Sequence, residues 1–494
     1  MTNKQTTSTM QHLRQRNHLV IKREDFLKVA LLAIACIFLI ALANFLRIGF
    51  FDNSFNAYTF LFVLVGQTAL IIGLFLYFLN SRKEIVYTFK KLVAICVCLV
   101  ISYVVNLFLS IISQYMMPIA MVAFLVAPIA DRLDSYIVNI ICIAMLLFNN
   151  IFLSINGQNA IDSVMTLFAM ALAGILCGSL VSYRIYTNTK RLSYILRGIF
   201  YSAIAFMLVL LIEVLYAGSI GYFDYIWSES WYYLIVSFSL CIVVGLMLQP
   251  IFEIAFNIIT NTRLIELTDH NNILIKRLMD EAPGTFNHSL FVANFAEICA
   301  RAIGENPYMA RASAYYHDVG KLINPVFFKE NQGEINPHDD ILPELSAEII
   351  SKHANDGREM CLMHNVPEEI ANMTVEHHGT LPIAVFYHKA KQLIDTEVDM
   401  EQYRYKGQTP RTKIAAILMI CDASEAAIRA MGNPDGEKVD KLLRNIINQR
   451  IELGQFVNCS ITLRDLDIIR QTIINMYGGV FHQRVQYPDG GKTK

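Results

Sequence analysis

Seven residues in the second half of the chain carry side chains suited to holding metal ions. His288 lies in "PGTFNHS", the adjacent His317 and Asp318 in "YYHDVGK", His353 in "IISKHANDG", the adjacent His377 and His378 in "VEHHGT", and Asp422 in "IAAILMICDASEAA". Imidazole and carboxylate together suit Mn, Fe, Zn or Co. Asp422 gives the strongest single argument, because it follows the unbroken apolar run Ile414 to Cys421. That run places it on a buried helix, where a bare carboxylate is costly and requires a cation. A buried arginine would serve. A metal shared with the histidines would serve too, and would account for the rest of the set. Taken singly, His353 reads as a surface or helix-end histidine and His377-His378 as a chance doublet; the weight lies in the combination. Neighbours on a helix point about 100° apart, so His317-Asp318 can serve two nearby ions, or one ion and its bridge. Lys321 lacks the GxxxxGK[ST] spacing of a P-loop and reads as a lysine facing phosphate beside the metals. His338 and His388 read equally well as substrate-facing or surface residues and stay outside the metal set. His364 reads as a loop residue.

The elements that must position these groups are helical. Apolar periodicity and turn residues predict helices over about 286–303, ended by Gly304, about 307–318, ended by Gly320, and 343–353, closed by His353. Further helices are expected over 355–364, 367–378 with Pro367 in the first turn, 410–431, 435–453 and 462–477. No alternating strand pattern competes, so this half is expected to be all-α. Upstream, "NTRLIELTDHNNILIKRLMDEAPG" has helical apolar spacing and is expected to run on from the last apolar segment as one amphipathic helix, ended by Pro283-Gly284 and able to transmit a push from the membrane.

The first half lives in a different solvent. Of 494 residues, 54% are hydrophobic and 17% charged, below the charge of a soluble domain. The apolar excess lies before residue 258, whereas ten of the twelve histidines lie at or after His270. About eight apolar segments are expected to cross a membrane, over roughly 29–48, 58–79, 91–113, 116–130, 136–154, 162–183, 199–216 and 233–256. The fourth and fifth are the weakest; merged, they would put the two ends on opposite sides. With all of them counted, Lys4, Arg14, Arg16, Lys22 and Arg23, then Arg82, Lys83, Lys90 and Lys91, then Arg132, then Arg184, Lys190, Arg191 and Arg197, fall on one side. The opposite loops hold almost no Lys or Arg, with Arg47 at the edge of span one as the exception, and "GSIGYFDYIWSESW" is aromatic and acidic. The positive-inside rule then places the N-terminus and the polar half in the cytoplasm. No charged residue reads as buried mid-span, which argues against an ion path, and Gln67 and Asn106 read as polar contacts between helices. The net charge of −1 gives no argument for a nucleic-acid surface. The ten cysteines include no CxxC pair and read as buried thiols in a reducing compartment. The first apolar run has no small-residue cleavage site and reads as a span.

The order His, His-Asp, His, His-His, Asp resembles the HD superfamily of metal-dependent phosphohydrolases. "DEAPGTFNHS", "HDVGKLINPVFFKENQGEINPHD", "EHHGT", "KIAAILMICDASEAA" and "GGVFHQRVQYP" resemble more narrowly the seven-transmembrane HD family, bacterial membrane phosphodiesterases that degrade cyclic di-AMP. The resemblance implies a cytoplasmic tail 1–25, a transmembrane domain 26–258, a connecting helix 259–283, an HD domain 284–488 and a tail 489–494. It implies one ion held by His288, His317, Asp318 and Asp422 and a second held by His353, His377 and His378, with Asp318 bridging and Asp318 and Lys321 catalytic. Two divalent ions, Mn or Fe, would activate a water and yield the linear dinucleotide pApA. The implied partners are a cyclic dinucleotide, the lipid bilayer and, as signalling HD domains often pair, a second copy; DNA is not among them. The implied place is the bacterial inner membrane. His482 and Arg484 match the family pattern without an evident chemical role. One departure concerns the large extracellular domain that the family carries after the first span. Here the link is "IGFFDNSFNA", which leaves the spans or the lipid as the route for a signal.

Three functions compete at this level. One is a cyclic di-AMP phosphodiesterase. Another is an HD phosphohydrolase for a different cyclic dinucleotide or nucleotide; "HHGTLPIAVFYHKAKQ" lacks the GYP signature of the cyclic di-GMP branch. The third is a receptor or transporter whose HD domain only binds nucleotide, which a degenerate site would mark. Every expected ligand is present.

Overall fold

The computed structural model describes residues 23–51, 57–154, 160–184, 191–217, 231–393, 397–431 and 435–480. Lys4, Arg14, Arg16, Lys22, Lys190, His482, Arg484, most of "GSIGYFDYIWSESW" and the tail 489–494 lie outside them. The chain divides into two compact units, Met1–Thr262 and Arg263–Lys494. No strand occurs among the described residues, only an isolated antiparallel bridge between Pro382 and Arg404.

In the first unit, α1 is Arg23–Phe51, α2 Ala57–Ser81, α3 Lys83–Tyr87, α4 Phe89–Leu109, α5 Met121–Val126, α6 Arg132–Ser154, α7 Ala160–Arg184, α8 Arg191–Ala217 and α9 Trp231–Ala255. Seven of these are long and apolar enough to cross a membrane. The fourth expected span, 116–130, is not one of them. It is a 3₁₀ turn, Gln114–Met116, followed by the six-residue α5. Pro118 and Pro128 explain the break, since each removes a backbone donor and disfavours helix in the residue before it. Residues 117–127 are buried without exception, so the irregular backbone is surrounded by protein.

This broken segment nevertheless runs the length of the unit. Tyr115 donates to Glu213 near the end of α8 at 3.2 Å, and Ser237 near the start of α9 donates to the Met117 carbonyl at 2.6 Å. Further along, Tyr194 at the start of α8 donates to the Phe124 carbonyl at 3.0 Å, and Arg82 beyond α2 donates to Asp134 in the first turn of α6 at 2.7 Å. The segment therefore starts beside the end of α8 and finishes beside its beginning. Counted as a pass, it returns Arg23 and Ala255 to the same end of the bundle.

Polar contacts tie the helices together. Asn44 donates to Gln67, Gln67 to Tyr103 and Tyr103 back to Asn44, each at 2.7 Å, linking α1, α2 and α4. Buried charges occur in these helices, though not at mid-span. Glu213 and Glu253 are both buried. Each lies near a helix end, where it takes bonds from Tyr115, or from Gln249 and Thr260.

Helix α10, Asn261–Leu267, includes the division at residues 262 and 263, and α11, Ile273–Glu281, follows it. These replace the single connecting helix expected from the periodicity. Asp269 accepts from the Asn271 backbone and Asn272 caps α11 by accepting from Leu274 N, so "TDHNN" is a turn. Pro283 opens α12, Pro283–Ile303, which Gly304 ends in the left-handed region at φ 83°. Then come α13, Pro307–Tyr316, a run of 3₁₀ turns over 319–339, α14, Pro343–Met363, α15, Glu368–Glu376, α16, Ala384–Leu393, α17, Lys413–Ala430, α18, Gly436–Glu452, and α19, Leu463–Val480. The two helices expected over 343–353 and 355–364 are one, so His353 is mid-helix. Gly357, inside the second of the two expected helices, is buried and faces Gly320.

Candidate metal centre

The seven residues come from five helices and meet at one point. Asp318, just past the end of α13, is central. Its Oδ2 lies 3.2 Å from His317 Nε2 and 3.8 Å from His288 Nε2; its Oδ1 lies 3.3 Å from His353 Nε2 and 3.6 Å from His377 Nε2. Asp422, on α17, places Oδ1 3.0 Å from His288 Nε2 and 3.8 Å from His317 Nε2, and Oδ2 3.8 Å from His378 Nδ1. No arginine pairs with Asp422 among the described residues. The arginine alternative therefore has no support, and the histidines surround it instead.

Backbone and side-chain partners aim the rings. His317 Nδ1 donates to the Ala314 carbonyl at 2.7 Å, His353 Nδ1 to Ile350 at 2.6 Å and His377 Nδ1 to Met373 at 3.3 Å. A carbonyl can only accept, so each Nδ1 carries a proton and Nε2 is the ring atom that faces inward. His288 Nδ1 donates to Glu425 Oε2 at 2.5 Å, and Glu425 in turn accepts from Arg429. These are the partners that fix ring orientation and raise ligand basicity in metal sites. The inward atoms His317 Nε2, His353 Nε2, His377 Nε2 and Asp318 Oδ1 are buried and have no hydrogen-bond partner. Acceptors converging on acceptors require a cation between them. Asp318, His353, His377 and His378 could hold one ion, and His288, His317 and Asp318 another, with ligand atoms mutually within 4.8 Å. The donor set is that of a divalent metal site.

Charge on the metal-free cluster is uneven. Burial alone would lower the His288 imidazole, but Asp422, Glu425 and Asp318 raise it to about 9. Burial is likewise overruled at His317, which Asp318 and Asp422 raise to about 10. Burial would raise Asp318, but His317 and Lys321 hold it well below the carboxylate range; Asp422 is held down against burial by His288 and His317. Burial lowers His377, and it lowers His378 further with His377 adding to the effect. At neutral pH, then, His288 and His317 carry protons that a metal must displace. Affinity for Mn²⁺ is expected to rise with pH from about 6.5 to about 10, with about two protons released per chain at pH 7.5. Titration calorimetry in buffers of different ionisation enthalpy reads this directly, and a buffer-independent heat would contradict it. In the metal-free fold the sign is reversed. Raised histidines stabilise below about 6.5, and that contribution fades as pH climbs through 9 to 10.

Lys321 does not point into open space. Its Nζ lies 2.7 Å from Asp318 Oδ2 and 2.7 Å from Glu330 Oε1, with the Phe328 ring 5.0 Å away. Burial would lower its pKa, but the two carboxylates raise it, so it stays charged. Thr285 donates to Glu330, and Asn331 donates to Thr285 at 2.8 Å, which ties the 3₁₀ region to the start of α12. His338 is buried and donates Nε2 to the Phe327 carbonyl at 2.8 Å, a role in the same 3₁₀ region.

Tyr405, unnoticed in the sequence, stacks on His378 with centroids 4.1 Å apart. The pairing that holds it there runs from Tyr405 N to the Leu381 carbonyl at 3.0 Å and from Ile383 N to the Tyr403 carbonyl. Burial pushes its hydroxyl pKa up, with Lys321 opposing.

Gly320 brings His353 to Asp318. A Cβ there would run into the His353 carbonyl oxygen and the Gly357 nitrogen, both backbone. Gly320→Ala is expected to push α14 away, at a cost of about 1–3 kcal/mol, and to weaken Mn²⁺ binding by more than about tenfold. Gly357→Ala, whose Cβ would lie 3.1 Å from Gly320 N, should do less. Thermal melts and metal titrations of the two variants check the order.

Residues 285–427 match the HD domain family. The cyclic-di-AMP phosphodiesterase PgpH of Bacillus subtilis (strain 168) is 42% identical over 252 residues, 51% of this chain and 35% of that protein. The protein of the same name from Listeria monocytogenes serotype 1/2a (strain 10403S) is 42% identical over 248 residues, 50% of this chain and 34% of its own. A crystal structure of the L. monocytogenes phosphodiesterase PgpH HD domain in complex with cyclic-di-AMP is 43% identical, covers 43% of this chain and 99% of that one, and superposes with a TM-score of 0.42. The chain thus spans about a third of the length of the curated relatives it matches.

Proposed function

Since residues 285–427 match the HD domain family, we propose that the chain is a membrane-anchored, metal-dependent phosphodiesterase that hydrolyses cyclic di-AMP to pApA. The observation that carries this reading is the convergence of five histidines and two aspartates whose buried inward acceptors lack partners. The names of the two curated relatives supply the substrate.

On this reading His288, His317, Asp318 and Asp422 hold one ion, and His353, His377 and His378 the other, with Asp318 between them. Mn or Fe fits the imidazole-rich set. Divalent ions bound there would lower the pKa of a water and offset the charge that grows on a phosphoryl group. The protein's own groups do the rest. Glu425 and the three backbone carbonyls hold the rings in one tautomer. Lys321, kept charged by Asp318 and Glu330, supplies fixed positive charge at the edge of the cluster where a phosphoryl oxygen gains charge. Burial of the cluster keeps these interactions strong by excluding bulk water. His378 and Asp422 are its most accessible members, at 21% and 12% side-chain exposure, so substrate enters on their side.

On this reading the apolar helices anchor the enzyme in the bilayer, and the basic residues Arg82, Arg132 and Arg197 support a polar half on the cytoplasmic side of a bacterial membrane. The test is incubation of the Mn²⁺-loaded chain in detergent with cyclic di-AMP or cyclic di-GMP, followed by chromatography. Conversion of the former to pApA, with the latter slower by roughly tenfold or more, is expected. Equal turnover of both, or of neither, would remove the substrate assignment.

A further inference from the structure

Helix α18 buries one face, built from Val439, Leu443, Ile446 and Ile447. The helical repeat continues that face to position 450, where an arginine stands in place of an aliphatic residue. Its Nε is buried with no acceptor, and its one hydrogen bond runs from Nη1 to the neighbouring Gln449 side chain at 2.5 Å. No carboxylate pairs with it among the described residues. A guanidinium is always charged and presents five donors, so holding one partly buried without an anion is costly. Burial pulls its pKa below the usual arginine value, and the charge that opposes this is Asp422. Asp422 is thus close enough to be felt and too far to form an ion pair.

The turn after α18 fastens this end of the helix to the metal cluster. Gly454 takes φ 65°, and the buried Gln455 then donates to Thr380 Oγ1 at 3.0 Å and accepts from Thr380 N at 3.1 Å. Thr380 is two residues past His378, the most accessible ligand. Arg450, whose Nε has no acceptor, thus lies at the end of a helix whose following turn is fastened two residues from the most accessible ligand of the cluster.

We infer that Arg450 is a substrate anchor whose guanidinium binds the second phosphate of the cyclic dinucleotide, the one not being cleaved. The inference rests on the cyclic-dinucleotide reading above. The scissile phosphate meets the metal cluster and Lys321. Arg450 pairs with neither cluster carboxylate, so it stands beyond groups seated directly on them, where the other phosphodiester of the ring arrives. Arginine suits that task, because its planar fork binds phosphate oxygens in pairs.

The test uses the full 494-residue chain in detergent with Mn²⁺, comparing it with Arg450→Gln and Arg450→Ala. Five quantities are read: kcat and KM for cyclic di-AMP, turnover of bis(p-nitrophenyl) phosphate, which has one phosphodiester, Mn²⁺ content, and Tm. KM for cyclic di-AMP is expected to rise about 10–100-fold with kcat within about threefold. Turnover of the simple diester and Mn²⁺ content should not change. Tm should hold or increase, because an unpaired buried charge has been removed. An unchanged KM would overturn the inference. Equal losses on both substrates would overturn it by placing Arg450 on the scissile phosphate. A lower Tm with lost Mn²⁺ would make the residue structural. If the unsubstituted chain cleaves the simple diester but not cyclic di-AMP, the substrate reading fails and takes the anchor with it, a result distinct from any seen in the variants alone.

Discussion

Asp318→Ala should lower turnover of cyclic di-AMP at least about a thousandfold while leaving the helical content of the chain intact. The expectation follows from the number of groups that meet on this carboxylate: His317, His353, His377, His288 and Lys321 all approach one or other of its oxygens. Its loss removes the residue that the His353–His377–His378 group and the His288–His317 group share among the described residues. It also releases Lys321 to Glu330 alone. Alanine fits the buried position without a new clash, so the fold should survive although metal content falls. Circular dichroism, metal analysis and product chromatography on one preparation separate these effects. Full turnover by the variant would remove Asp318 from the chemistry.

Chelation should have an effect of similar size. With no ion, the Nε2 atoms of His317, His353 and His377 and Oδ1 of Asp318 remain buried without partners, which is unfavourable. Metal that binds only the folded domain stabilises it by about 2.7 kcal/mol at a concentration a hundredfold above Kd. For a domain of this size that corresponds to a rise in Tm of roughly 5–10 °C. The chelated protein should be inactive and melt lower, and Mn²⁺ or Fe²⁺ should restore both properties. Mg²⁺ should not, because it prefers an all-oxygen shell and this set is rich in imidazole. Activity that survives exhaustive chelation would contradict the metal centre outright.

Much of the centre was legible because its residue types are unusual. A carboxylate after eight apolar residues on a buried helix needs a cation wherever the chain folds, and two His-containing doublets beside it narrow the choice. The groups that support the ligands were harder to read. Glu425 was within reach, since it stands three residues after Asp422 on the same helix face, the spacing at which side chains meet. Tyr405 was not, because a long-range backbone pairing between residues 381–383 and 403–405 brings it over His378. Arg450 was legible only as an arginine breaking an apolar face, a signal that gains meaning once Gln455 is seen to fasten that helix to Thr380.

The errors in the fold have a common origin in glycine, proline and asparagine. A helix end was read at His353, but one long helix runs through it, and Gly357 is the close-approach point that lets that helix pass Gly320. Pro118 and Pro128 divide a segment whose composition fits a span, and the surrounding protein tolerates the division. Asn272 and Asp269 break an amphipathic pattern into two helices. In each case hydrophobic spacing was correct about which face is buried. It said nothing about whether the backbone could stay continuous, which side-chain capping and ring sterics decide.

The central claim is that this chain uses water to open a cyclic dinucleotide. The most direct measurement is the reaction of the Mn²⁺-loaded chain with cyclic di-AMP in water enriched in ¹⁸O, with mass analysis of the product. One ¹⁸O on the new terminal phosphate of pApA is the predicted result. A metal-loaded protein that leaves cyclic di-AMP intact, or a product without ¹⁸O, would contradict it.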